Sequence, residues 1–273
     1  MGILKTLTKE YFGEIEREED EINIDKLNVE IVSFTDNNGK KHKRGYKPKD
    51  KDTLKRLLKR MIEVRGDEGD FNDIDTSDIT SMVSLFYFNE TFNGNITGWN
   101  VSSVIFMDSM FRGAKSFNQD ISKWEFPNVT NMKCMFCEAS SFNQDISKWK
   151  FPKVTDMSYM FSDATSFNQP IGNWEFPKVE NMSGIFSNAS SFNQPIGDWE
   201  FPNVTNMSSM FWEASSFNQD ISKWKFPIVI DMDGMFKEAK SFNQDLSKWD
   251  LKGKKKDEIF DGCPIKDEYK PKM

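Results

Sequence analysis

The sequence predicts an α/β repeat protein, a solenoid with a parallel β-sheet and short helices, plus a small α+β N-terminal segment. A Phe-Asn pair recurs seven times at intervals of 25 residues, and a tryptophan follows each pair seven places later. The phenylalanines are Phe92, Phe117, Phe142, Phe167, Phe192, Phe217 and Phe242, and the tryptophans are Trp99, Trp124, Trp149, Trp174, Trp199, Trp224 and Trp249. A fixed period without insertions indicates identical structural units that bury their apolar faces on one another.

One unit shows which elements to expect. A short strand is predicted near Gln144 to Lys148, and it ends before Pro152, which lacks a backbone donor. From Val154 to Ala164, apolar residues recur mainly every three or four positions. That spacing predicts a short helix with one buried face, packed behind the strand. Strand pairing between units is expected to centre on Ile146 and its equivalents.

The recurring amides and the recurring tryptophans each allow either a structural or a binding interpretation. Asn143 has an equivalent in all seven copies, and Gln144 in six, with Gly94 as the exception. We expect these amides to point inward and bond the backbone of neighbouring units. The alternative is a polar binding stripe. The tryptophans are likewise expected to pack between units, the alternative being a row that stacks on sugars.

The ends of the repeat array need covers. Residues 52–65 have the apolar pattern of an amphipathic helix that shields the first unit, and Ile259, Phe260, Cys263 and Ile265 are expected to close the last one. Upstream, Ile3 to Ile15 have helical spacing, residues 28–34 alternate like a strand, and residues 36–39 form a turn. The predicted segments are therefore 1–45, an N-terminal cap at 46–77, repeats at 78–251, and a C-terminal cap and tail at 252–273.

A basic stretch precedes the repeats in an otherwise acidic chain of net charge −7. Residues 40–65 hold twelve lysines or arginines against three acidic residues. The candidate basic patch comprises Lys40, Lys41, Lys43, Arg44, Lys55, Arg56, Lys59 and Arg60. It favours either a site for nucleic acid or a solvated face that the acidic repeats neutralise. No nucleic-acid reader motif accompanies the charge, so we expect the second.

Catalytic and metal chemistry have few candidates. The chain has one histidine and three cysteines. Cys134 and Cys137 have the spacing of a redox or zinc pair, but a second pair or a nearby histidine is missing. His42 is alone in a lysine-rich segment. We therefore expect no enzyme activity, cofactor or metal.

The repeated strings identify a resemblance. FNQDISKW, then NVTNMSSMF, then SFNQ, resemble the repeats of BspA-like bacterial surface proteins, from Tyr46 to about Met273. The resemblance implies a right-handed, leucine-rich-repeat-like solenoid used for protein recognition or adhesion, not catalysis. It also implies a cell-surface or secreted protein. The start of the sequence lacks the pattern of an export signal, which instead favours the cytoplasm.

Candidate contact residues are those at which the units differ. They are Pro170, Gly172, Asn173, Pro195, Gly197, Asp198 and the solitary Trp212. The function expected is a non-catalytic, monomeric scaffold for an unidentified protein partner, with nucleic-acid binding through residues 40–65 as the alternative. No apolar run reaches the roughly 18 residues of a membrane span.

Overall fold

The computed structural model describes residue 24 and residues 27–272. Two antiparallel strands open the described chain, β1 (Val29–Thr35) and β2 (Lys41–Pro48), and helix α1 (Lys51–Arg65) follows. Val29 pairs with Pro48, and the register is irregular between Val32 and Phe34. The strand predicted at 28–34 and the turn at 36–39 are confirmed. The helical pattern from Ile3 to Ile15 lies outside the described residues.

A buried hydrogen bond joins Asp36 and His42 within this hairpin. His42 Nε2 lies 2.9 Å from Asp36 Oδ2, and the histidine ring stacks on Phe34. Burial alone would raise the pKa of Asp36, but hydrogen bonds from His42 and from the backbone N–H groups of Lys40 and Asn38 lower it overall. These contacts give His42 a structural role within the hairpin. The tip of the hairpin reaches the first repeat units, where Asn37 N–H donates to the Gly98 carbonyl at 2.8 Å and Asn38 Nδ2 donates to Thr97 Oγ1 at 2.9 Å.

Helix α1 begins and ends with ordinary capping interactions. The Asp50 carboxylate accepts a hydrogen bond from Thr53 N–H at 2.8 Å, and Gly66 closes the C-terminus with φ of 77°. The side chains of Leu54, Leu57, Leu58 and Met61 belong to the core that continues into the repeats. The helix predicted at 52–65 is thus confirmed, with its first residue one position earlier.

Beyond α1, the chain forms stacked units that consist of turns. Single-residue parallel bridges connect equivalent positions of successive units. They join Ser81, Phe106, Asn131, Asp156, Asn181, Asn206, Asp231 and Lys255 in order. Between Gly66 and Lys272, the only regular element described is a 3-10 helix at Asp267–Tyr269. The expected right-handed, leucine-rich-repeat-like α/β solenoid, with its parallel sheet and short helices, is therefore wrong.

The predicted helix of each unit fails for a backbone reason. Tyr159 and Asp163, four residues apart, both have left-handed φ values, 56° and 58°. An α-helix of L-residues cannot include such positions. Alternate N–H groups instead donate to the next unit, for example Met157 to the Asn181 carbonyl and Phe161 to the Ile185 carbonyl. The residues that the helical spacing placed inward are nevertheless all buried, so successive turns bury them at the same spacing as a helix would.

The predicted strand near Gln144 to Lys148 is also absent from the described units. The N–H groups in and just after this segment bond side chains and local carbonyls: Ser147 N–H donates to Asp145 Oδ1, and Trp149 N–H donates to the Ile146 carbonyl. The bridge positions lie ten residues further on, at Asp156 and its equivalents. The pairing expected at Ile146 is therefore wrong.

Aromatic rings fill the core in continuous columns. Phe117 and Phe142 stack with centroids 6.0 Å apart, and Phe136 inserts next to Phe142 at 3.9 Å. At the C-terminal end Ile259 and Ile265 are buried, and Phe260 and Cys263 pack against the same core, which agrees with the expected cover. No described helix is long and apolar enough to cross a bilayer.

Candidate interaction surfaces

The recurring amides hold the units together. Asn143 Oδ1 accepts hydrogen bonds from Asn168 N–H and Gln169 Nε2, both at 2.9 Å. The column continues through the other units and ends where Asn243 Oδ1 accepts from Lys266 N–H. Gly94 breaks the glutamine pattern because a Cβ there would lie 2.3 Å from the Phe71 ring. The expected bonding between units is confirmed, although the amides are half-buried and do not point fully inward.

We predict that Asn143→Ala destabilises the protein by about 1–2 kcal/mol. The substitution leaves the Asn168 N–H and one Gln169 donor without their acceptor in a half-buried place. Urea titration of the purified variant measures the loss. Asn173→Ala is the matched control, because this amide is exposed. An equal loss in both variants would show that the column contributes no specific stability.

The tryptophan column is structural as well. All seven tryptophans of the column are 4% exposed or less. In the described chain, six of them donate from Nε1 to a carbonyl of an earlier unit, as Trp149 does to Ile121 at 3.2 Å. Trp124 Nε1 lacks a partner. Rings this buried cannot stack on a sugar, so the packing interpretation is confirmed.

The residues that differ between units include three exposed, uncharged ones, which we name the proline patch. They are Pro170, Asn173 and Pro195. The two prolines stand where other units have the aspartate of an Asx turn, and Asn173 lies three residues after the first of them. In those units Asp145 accepts hydrogen bonds from Ser147, which lower the pKa of the aspartate. The two proline units lack this carboxylate and the hydrogen bonds that it accepts.

Glycines beside the proline patch bring the next unit unusually close. A Cβ on Gly172 would lie 2.4 Å from the Pro195 carbonyl oxygen, and one on Gly197 would lie 2.4 Å from that of Asp220. Gly197 and Asp198 also line an open groove of about 660 Å³, whose rim includes Lys223. Lys223 Nζ lies 3.2 Å from Asp198 Oδ1. The glycines therefore have a structural role, and the prolines are the residues free to vary.

Trp212 stands apart from the buried column. Its side chain is 41% exposed and lies in a shallow groove of about 540 Å³ with Asn188 and charged residues, Lys237 and Glu238 among them. This groove and the one beside Gly197 share no lining residue. The structure thus presents Trp212 and the proline patch as two separate candidate surfaces.

A third surface is one that the repeat pattern does not reveal. Tyr87 and Phe88 are 47% and 42% exposed, and the Arg112 guanidinium lies 5.8 Å and 5.7 Å from their ring centroids. Tyr87 also lines an apolar groove between α1 and the first unit. Aromatic residues and arginine are enriched at protein interfaces. We name this surface the helix groove; its lining is Lys55, Arg56, Leu58, Lys59, Ile62, Glu63, Leu85, Phe86, Tyr87 and Asn89.

Acidic residues neutralise part of the basic stretch. Arg65 forms a two-bond pair with Asp73, both bonds 2.8 Å long, and Lys47 lies 2.9 Å from Asp78. The hydrogen bond to Asp78 raises the pKa of Lys47. Lys40 lies 3.8 Å from Asp70. Of the candidate basic patch, Lys41, Lys43 and Arg44 lie on β2, and Lys55, Arg56, Lys59 and Arg60 lie on α1.

Cys134 and Cys137 lie close enough to form a hydrogen bond, but no further metal ligand lies beside them among the described residues. A hydrogen bond from Cys137 lowers the pKa of Cys134 to about 7, and burial opposes that change. The same contact raises the pKa of Cys137. Within the described residues, no cluster of three or more His, Cys, Asp or Glu side chains could hold a metal ion.

Comparison with known proteins yields a family and no relative of known activity. A family model described as Mycoplasma protein of unknown function, DUF285, matches residues 54–174 and again residues 155–268. The two overlapping matches agree with a repeat protein. No curated protein and no solved structure is significantly similar to the chain.

Proposed function

We propose that this chain, which belongs to the DUF285 family of Mycoplasma proteins of unknown function, is a non-catalytic scaffold that binds a protein partner. One observation carries the proposal: the recurring aromatic rings are buried and the recurring amides are bonded between units, whereas Pro170, Pro195 and Trp212, which break the repeat, are exposed. Trp212, Pro170 and Pro195 have no evident part in building a unit. Exposed residues of this kind are available for recognition.

The resemblance to BspA-like surface proteins supports the same class of function. Hydrogen bonds from each unit to the next hold the exposed side chains in a regular array, which suits recognition or adhesion. The proposal applies equally to a partner inside the cell and to a ligand at its surface. Binding of nucleic acid has less support, because the acidic residues Asp70, Asp73 and Asp78 already accompany part of the basic stretch.

A photoreactive amino acid placed at position 173 or 212 tests the scaffold function. After irradiation in a lysate of the source organism, we expect discrete protein adducts from at least one of these positions. Ser166 is the matched control position, since it is exposed and identical to its equivalents Ser141 and Ser191. The same adducts at all three positions would argue against a specific surface.

A folded variant then assigns the surface. Pro170→Asp with Pro195→Asp restores the residue that flanking units carry, and both glycines stay because a Cβ there would meet a carbonyl. We expect this variant to lose the adduct at 173 and to keep any adduct at 212. Salt-dependent retention on a polyanion column, with no protein adduct at either position, would favour nucleic acid instead.

A further inference from the structure

The helix groove has an apolar floor and a basic edge. Leu58 and Ile62 of α1 face Leu85, Phe86 and Tyr87 of the first unit across a volume of about 590 Å³. Lys55, Arg56 and Lys59 stand along its helical side. Glu63 is the single acidic residue of the lining. Such a groove suits a segment that combines aromatic or aliphatic side chains with several carboxylates.

The chain itself contains such a segment. Residues 10–22 hold seven acidic residues against one arginine, interleaved with Tyr11, Phe12, Ile15 and Ile22. This stretch lies outside the described residues, and only its sequence enters the argument. We propose that residues 10–22 occupy the helix groove of their own chain, with carboxylates towards Lys55 and Lys59 and apolar side chains towards Tyr87.

The place where the chain enters the fold puts residues 10–22 within reach of the helix groove. Lys49 N–H donates to the Asn28 carbonyl, so the chain enters the fold beside the first turn of α1. Lys59 lies eight residues along the helix from Lys51, a rise of roughly 12 Å. Leu27 N–H donates to the Ile24 carbonyl in a turn, and both side chains pack against the core, so the reach of the segment is measured from Ile24. The ten steps from Ile24 back to Glu14 can span up to about 33 Å. Because the contact is intramolecular, a weak intrinsic affinity suffices to fill the groove.

Zero-length carbodiimide cross-linking of the full chain tests the proposal. The reagent joins a carboxylate directly to a lysine amine only when the two are in contact, and peptide mass spectrometry identifies the pair. In the monomer fraction, we expect residues 10–21 to couple to Lys55 or Lys59 at least about fivefold more often than to Lys225 or Lys252, which lie in the distal units. Couplings spread evenly over all four lysines would overturn the proposal.

A variant separates docking from chance proximity. Tyr87→Asp puts a negative charge on the groove and leaves both lysines in place, so the preference for Lys55 and Lys59 should disappear. Tyr159→Asp is the matched control, because it alters an exposed aromatic residue several units away and should keep the preference. An unchanged preference in Tyr87→Asp contradicts the proposal. Couplings found only in covalent dimers also contradict it and assign the groove to a second copy.

Discussion

Trp149→Ala should lower the free energy of unfolding by about 3–5 kcal/mol. The indole is 1% exposed and donates to the Ile121 carbonyl at 3.2 Å. It also contacts the edge of Phe126, with centroids 4.7 Å apart. Truncation therefore opens a cavity between two units and leaves a carbonyl without its donor. Urea titration followed by near-ultraviolet circular dichroism measures the loss.

Two further variants show which part of the tryptophan matters. Trp149→Phe keeps most of the ring and removes the N–H, so we expect a loss of about 1–2 kcal/mol. Trp212→Ala is the matched control, since this tryptophan is 41% exposed and should cost less than about 1 kcal/mol. Equal losses at Trp149 and Trp212 would mean that the column does not hold the units together.

Sequence periodicity predicted burial well and backbone conformation poorly. The residues from Val154 to Ala164 that helical spacing placed inward are all buried, yet Tyr159 and Asp163 have left-handed φ values. A run of turns bonded to the next unit can bury residues at the same spacing as a helix. Periodicity reports which side chains face the core, and it carries no information on whether each N–H bonds within its own unit.

The candidate sites were predictable where they broke the repeat. Trp212 and the two prolines stand out against their equivalents, and all three are exposed. The sequence did not predict the helix groove. It forms between α1, which lies outside the repeats, and the first unit, so the repeat pattern does not show that these two segments meet. The hydrophobic pair Tyr87-Phe88, where the next unit has Arg112-Gly113, was the available signal. Only the packing of α1 turns that pair into one wall of a groove.

Leu57→Asp should be among the most damaging single changes outside the repeats. Leu57 is fully buried on the face of α1 that belongs to the common core. A carboxylate there would be buried without a partner, so we expect a loss of at least about 3 kcal/mol. We predict that α1 covers the first unit, so detaching it should also expose apolar side chains and backbone groups that promote self-association.

Val64→Asp is the matched control for this helix. Val64 is 54% exposed on the same helix, so the same new charge should change stability by less than about 1 kcal/mol. Calorimetry measures the unfolding temperature of both variants, and light scattering measures their size. We expect Leu57→Asp to melt lower and to form soluble aggregates, whereas Val64→Asp keeps the size of the unaltered protein. If Leu57→Asp kept the size and the melting temperature of the unaltered protein, the repeat units would be stable without α1, and the helix would not be their N-terminal cover.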